Sequence, residues 1–195
     1  MAIREFSYSF RTEIVFTHHL ADALRSACES LGVTRAFVVT DRGLAGLEHF
    51  AAFLRAMDEA GFPYDVYTDA ALNPDDLSMD AAAAVFAGTG CDCTIGFGGG
   101  SVLDTAKTVA VLAANGGKTR SYFGVNTVPK QPLPCIAVPT TAGSGADVTY
   151  FMAIVDSEKQ TKAQIMDPKC APDVSIIYPE NLLGMPQRLI PRRGL

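Results

Sequence analysis

Short apolar runs alternate along this chain with longer stretches in which apolar residues recur every three or four positions. A loosely alternating segment at 6–16 ends in Ile14-Val15-Phe16 and suits an edge strand or hairpin. Residues 18–30 put Leu20, Ala23, Leu24, Ala27 and Leu31 on one face, the stripe of an amphipathic helix. RAFVVT at 35–40 reads as a buried strand. A helix over about 44–60 follows, through Leu47, Phe50, Leu54 and Met57, with Gly61 as its C-cap. YDVYT at 64–68 is a further strand, Asn73-Pro74 a turn, and 75–87 an alanine-rich helix that ends at Gly88–Gly90. A strand at 92–97 runs into a helix at 101–114, stopped by Asn115-Gly116-Gly117. After a proline- and glycine-punctuated loop at 118–134, CIAV at 135–138 is the fourth core strand counted from residue 35. Residues 149–155 and 161–166 alternate as a hairpin around a turn at 156–159, and 173–178 forms a last buried strand. Strands separated by helices of about 10–15 residues imply βαβ units. The fold class is α/β: a Rossmann-like parallel sheet flanked by helices, with a β-hairpin after the fourth core strand.

Within that frame, GFGGGSVLDTAK at 96–107 stands out. A strand ends in four glycines, Gly96, Gly98, Gly99 and Gly100, and Ser101 occupies a natural N-cap position. Glycines let backbone approach a ligand and reach positive φ. A helix N-terminus adds unpaired N–H groups and partial positive charge, which together suit a phosphate or pyrophosphate. Asp104 and Lys107 fall on one side of the first two turns. Lys107 can add charge for a phosphate, and Asp104 can accept from a ribose hydroxyl or hold the loop. The spacing is not GxGxxG, and a plain capped helix after a glycine turn is an even match to the run alone. Asp41 follows the strand at 35–40, where a carboxylate can take both hydroxyls of an adenosine ribose and repel a 2′-phosphate, favouring NAD over NADP. Locally, an N-cap for the next helix is the stronger reading of Asp41. PTTAGSGADVT at 139–149 offers Thr140, Thr141, Ser144 and Thr149 around Gly143 and Gly145 and can line a polar ligand, or be a polar turn. Lys162 on the return strand of the hairpin can reach a phosphate or ribose. In open parallel sheets ligands collect at the carboxyl ends of the strands, where Asp41, Asn73 and the glycine loop all lie.

Composition narrows the class. A net charge of −5 argues against a nucleic-acid footprint, and no apolar stretch reaches the roughly 18 residues of a membrane span. The N-terminus has no signal-peptide core, so a cytoplasmic location is expected. The five cysteines are odd in number and scattered, which predicts reduced, buried thiols. His18, His19 and His49 form no metal-site spacing.

GGGSVLDTAK at 98–107 and PTTAGSGADVT at 139–149 resemble the two signature stretches of the iron-containing (group III) alcohol dehydrogenases, with Asp41 and Asn73-Pro74 at matching places. The resemblance implies an N-terminal Rossmann-like domain that binds NAD and a C-terminal helical domain that holds Fe²⁺ or Zn²⁺. It implies that Gly98, Gly99, Gly100 and Ser101 wrap the pyrophosphate and Asp41 contacts the adenosine ribose. Asn73 then lies by the adenine, Thr140, Thr141, Ser144 and Thr149 line the adenine and nicotinamide ribose region, and Lys162 contacts the nicotinamide ribose. The implied reaction is hydride transfer between a small alcohol or hydroxyacid and its aldehyde or ketone, by a family that tends to form homodimers through its N-terminal strand.

Two departures from the pattern matter. Ala146 stands where the family usually has a small hydroxyl residue. The family's metal ligands, one aspartate and three histidines, begin in a stretch that should follow Leu189, and they do not occur here. The expectation is therefore a dinucleotide-binding domain over 1–186 and the truncated start of the helical metal-binding domain at 187–195. Such a chain keeps cofactor binding without catalysis of its own. A non-catalytic nucleotide-binding or interaction module is the alternative. Glycerol-phosphate or dehydroquinate-synthase-like chemistry is weaker, because those relatives lack this pair of signatures.

Overall fold

The computed structural model describes residues 11–183. The expected domain boundary at 186/187, Met185-Pro186 and the start of the 6–16 segment lie outside them. The main sheet has six parallel strands: β1 (Glu13–Phe16), β2 (Ala36–Val39), β3 (Tyr64–Tyr67), β4 (Cys93–Gly98), β6 (Cys135–Pro139) and β9 (Val174–Ile177). They stand side by side in the order β1-β9-β6-β4-β2-β3.

Both faces of the sheet are covered at its centre, which is why β2, β4 and β6 are buried at every position rather than alternating. All four residues of β2 are buried. Val38 faces α1 (Leu20–Leu31) and α3 (Glu48–Ala60), packed through Leu24, Phe53 and Met57. Phe37 and Val39 face α4 (Asp76–Phe86) and α5 (Gly100–Asn115), packed through Ala82, Phe86, Val102 and Ala106. Gly61 closes α3 on an αL turn as its sequence predicts, and Gly32 closes α1 in the same way. The helix expected over 44–60 is broken in two. Asp41 caps a single turn, α2 (Arg42–Ala45), and Gly46-Leu47 interrupt it before α3 begins.

A second, three-stranded sheet lies against α5. The expected hairpin is β7 (Phe151–Asp156) and β8 (Thr161–Met166), paired antiparallel. Beside β8 runs β5 (Gly124–Val125), a two-residue parallel strand inside the stretch read as loop. Met152, Ile154 and Ile165 bury against Val111 and Leu112 of α5. The tip of the hairpin is pinned to the start of α4. Val155 N–H donates to Pro74 O at 2.9 Å and Ser157 N–H to Asp76 Oδ1 at 2.7 Å. Arg120 spans Asp76 Oδ2 at 3.1 Å and Asp156 Oδ1 at 3.0 Å. Burial alone would raise the pKa of Asp76, but the Ser157 and Arg120 donors outweigh it and hold the carboxyl below the ordinary range. A short α6 (Glu180–Leu183) ends the described chain.

Candidate functional site: a cleft at the strand tips

Strand order reverses once beside β2. Its successor in the chain, β3, lies on one side of it and β4 on the other. Such a switch point leaves a crevice at the carboxyl ends of the two diverging strands. The tips of β2 and β4 are tied there by the buried hydroxyl of Thr40, which donates to Phe97 O at 2.9 Å. Asp41 follows one strand and the glycine loop the other.

The glycines divide by the direction in which they face. A Cβ on Gly96 would stand 2.9 Å from Leu103 Cδ2, and a Cβ on Gly98 would stand 2.6 Å from Val102 Cβ. These two let α5 lie flat on β4. A Cβ on Gly99 would stand 3.2 Å from Thr141 Oγ1, and one on Gly100 3.1 Å from Ser144 Cβ. These two let the 140–149 loop close on the glycine loop. Positive φ belongs to that second loop, at Gly143 (100°) and Gly145 (69°). Gly99 is extended, with φ −79° and ψ −177°.

The N-cap of α5 is Gly99, not Ser101 as expected, and it offers no side-chain cap. Leu103 N–H makes the first helical bond, to Gly99 O at 3.0 Å. The N–H groups of Gly100, Ser101 and Val102 precede it and have no acceptor within the helix. Ser101, inside the first turn, sends its hydroxyl to Leu72 O at 2.6 Å and so ties α5 to the β3–α4 loop.

A cavity of about 240 Å³ opens at this helix start. Gly100, Ser101, Asp104, Ser144, Thr149 and Lys162 line it, beside Pro74, Ala146, Phe151 and Ala153. Lys162 Nζ donates to Asn73 Oδ1 across the mouth. Thr141 lies half-buried at Gly99, while Thr140 is buried, its N–H continuing the ladder to Gly98 O at 3.0 Å. Asp41 lies in an adjoining open cleft of about 430 Å³, with Arg42, Gly43 and residues 69–72. Its Oδ1 accepts from Leu44 N–H at 2.9 Å, so the N-cap reading holds while the residue still lines the cleft.

Lys107 is placed differently from the phosphate role considered for it. Its side chain is 1% exposed, with Nζ 2.9 Å from Asp104 Oδ1 and donating to the carbonyls of Phe151 (2.8 Å) and Thr149 (3.2 Å). Asp104 Oδ2 accepts from Ala153 N–H at 3.0 Å. The pair fastens the hairpin to α5, which is the loop-holding role open to Asp104, and Asp104 also touches the cavity. Ala146 packs with Leu103 and Ala137 and also lines the cavity beside Gly100 and Ser144. His18 Nδ1 meets Glu180 Oε1 at 2.7 Å, and this contact holds the Glu180 carboxyl below its ordinary range. Arg42, Asp69 and Leu72 were invisible as site residues in the sequence, since no local pattern marks them.

Comparisons with known proteins cover both sheets of this architecture. A family model described as iron-containing alcohol dehydrogenase matches residues 11–179. The NAD-dependent methanol dehydrogenase of Bacillus methanolicus is 34% identical over 167 residues, 86% of this chain and 44% of that protein. A solved 1,3-propanediol oxidoreductase superposes with a TM-score of 0.89 at 30% identity, over 96% of this chain and 49% of its own. A sulfoacetaldehyde reductase from Bifidobacterium kashiwanohense, crystallised in complex with NAD⁺, gives 0.86 at 27% identity, over 95% and 49%. The chain thus spans about half the length of the relatives it matches. Because the match runs from the edge strand to the last strand of the sheet and takes in both loops that meet at the switch point, the chain belongs to the iron-containing alcohol dehydrogenase family.

Proposed function

We propose that this chain is the cofactor-binding part of an NAD-dependent dehydrogenase. The whole protein would interconvert a small alcohol or hydroxyacid with its carbonyl compound. One observation carries the reading: the uncapped start of α5 opens at the switch point between the glycine loop and the 140–149 loop. Three N–H groups with no helical acceptor and a positive dipole end fit a diphosphate. The residues present therefore suit the dinucleotide. Gly98, Gly99, Gly100 and Ser101 would hold its pyrophosphate through backbone. Asp41 has one carboxylate oxygen committed to Leu44 and the other to offer a ribose diol. Asn73, Thr140, Thr141, Ser144, Thr149 and Lys162 would line the remaining length.

Bound NAD supplies the hydride acceptor; this chain's residues bind and orient it. A family metal, Fe²⁺ or Zn²⁺, would polarise the substrate oxygen. Among the described residues no group of three or more His, Cys, Asp or Glu side chains is placed to hold a metal ion. No helix among them is long and apolar enough to cross a membrane. Pairing of β1 edges in a homodimer is supported by the exposure of Phe16, at 67%, on that strand.

Calorimetric titration with NAD⁺, alongside thermal unfolding with and without it, tests the reading. Saturable binding that inorganic pyrophosphate weakens is the expected result. Absence of both heat and thermal shift at millimolar NAD⁺ would overturn it.

A further inference from the structure

We propose that Asp69 sets the preference for NAD over NADP by withholding Arg42 from a 2′-phosphate. The inference rests on the dinucleotide reading above and extends it to a pair of residues that lie away from both signature loops. Arg42 directly follows the ribose-facing Asp41, and both line the open cleft together with Asp69. Arg42 Nε lies 2.5 Å from Asp69 Oδ1, a contact that bridges the first residue of α2 to the loop after β3. A guanidinium beside the adenosine ribose is the group that accommodates a 2′-phosphate in dinucleotide folds, because its planar fork matches phosphate oxygens. Here its Nε donates to the Asp69 carboxylate instead. Asp41, Asp69 and Arg42 sum to a charge of −1 at the place where NADP would bring a further dianion.

The pair is well suited to this role because it is exposed. The side chains are 82% and 50% accessible, so the contact contributes little to fold stability. The Arg42 partner nevertheless keeps the Asp69 carboxyl below its ordinary range, and Asp69 stays charged at neutral pH. Removing the Asp69 charge frees Arg42 and changes the local sum from −1 to zero.

The experiment measures the ratio of NADP⁺ to NAD⁺ dissociation constants by calorimetry for the chain and for Asp69→Asn, Asp69→Ala, Arg42→Ala and Arg42→Ala/Asp69→Asn, each checked for folding by circular dichroism. Both Asp69 variants should shift the ratio toward NADP⁺ by roughly two- to fivefold, the value of one exposed ion pair. The double variant should lose that gain. An unchanged ratio in both Asp69 variants would overturn the proposal. A gain that persists in the double variant would also overturn it, since relief of repulsion and not release of Arg42 would then be the cause. Failure of the unsubstituted chain to bind either dinucleotide would remove the cofactor reading itself, and this inference with it.

Discussion

Gly98→Ala tests whether the glycine run serves packing as well as binding. The new Cβ would lie 2.6 Å from Val102 Cβ, 2.7 Å from Cγ2 and 2.8 Å from Cγ1. Carbon atoms prefer roughly 3.5–4.0 Å, so α5 would have to lift by about 1 Å. Rotation of Val102 gives no relief, because the closest clash is with its Cβ, fixed by the helix backbone. Overpacking of this kind costs about 1–3 kcal/mol, which in a domain of this size lowers the unfolding midpoint by roughly 2–12 °C. The displaced helix start should also weaken NAD⁺ binding by on the order of tenfold or more, given the sensitivity of bound groups to shifts of about 1 Å.

Urea unfolding and calorimetric titration read the two effects, and second-site changes separate the causes. Val102→Ala keeps the offending Cβ and should leave most of the defect. Val102→Gly removes it and should restore binding, against a helix-propensity loss of about 1 kcal/mol. Full rescue by Val102→Ala, or a neutral Gly98→Ala, would refute the close-approach argument.

Three further outcomes follow from buried charge and burial. Lys107→Met leaves Asp104 charged and buried without its cation and should cost about 3–5 kcal/mol in urea unfolding; a loss below about 1 kcal/mol would mean the pair does not fasten the hairpin. The folded-state pKa of Asp76 is depressed, so its contribution is complete above the unfolded value near 4 and vanishes as pH falls through the folded one. The urea midpoint should therefore be flat from about pH 7 to 5, fall below about pH 4, and fall less steeply in Asp76→Asn. Burial pushes the thiols of Cys28 and Cys135 up to about 11 and that of Cys170 up to about 12. Those of Cys91 and Cys93 are raised for the same reason, so a disulfide reagent at pH 8 should react with the five cysteines only after denaturation.

What the sequence disclosed was what it encodes locally. The strands at 36–39, 93–98 and 135–139 and the hairpin at 151–166 carry their periodicity in consecutive residues, and each lies within a few positions of its reading. Other features depend on partners far along the chain. Ser101 looks like a cap, but extended Gly99 makes the cap and Leu72 O takes the serine hydroxyl. Asp104 and Lys107 share a helix face by spacing. Which way that face turns is decided by the carbonyls of Thr149 and Phe151, more than 40 residues away. The two-residue strand β5 has no pattern of its own and exists because β8 offers an edge. The break at Gly46-Leu47 was missed because the apolar stripe continues across it.

Strand register explains why these particular loops meet. Val39 is paired with Gly96 and Gly98 with Pro139. Extending each strand by the same count puts Asp41 level with Gly98, and Thr140 level with Gly99. Three neighbouring strands about 4.8 Å apart thus present an acidic residue, a glycine turn and a hydroxyl loop at one height, across about 10 Å. In the proposed pose the ribose diol lies over β2, the diphosphate over β4 and the nicotinamide side toward β6. A slip of one residue in the β2–β4 pairing would invert every side chain of β2 between its two packed faces. The apolar core that forbids such a slip is therefore also what fixes the spacing between carboxylate and glycine turn. In that proposed pose, cofactor geometry and sheet packing are one constraint, and a core substitution that loosened the register would be read out in NAD⁺ affinity before any site residue had been changed.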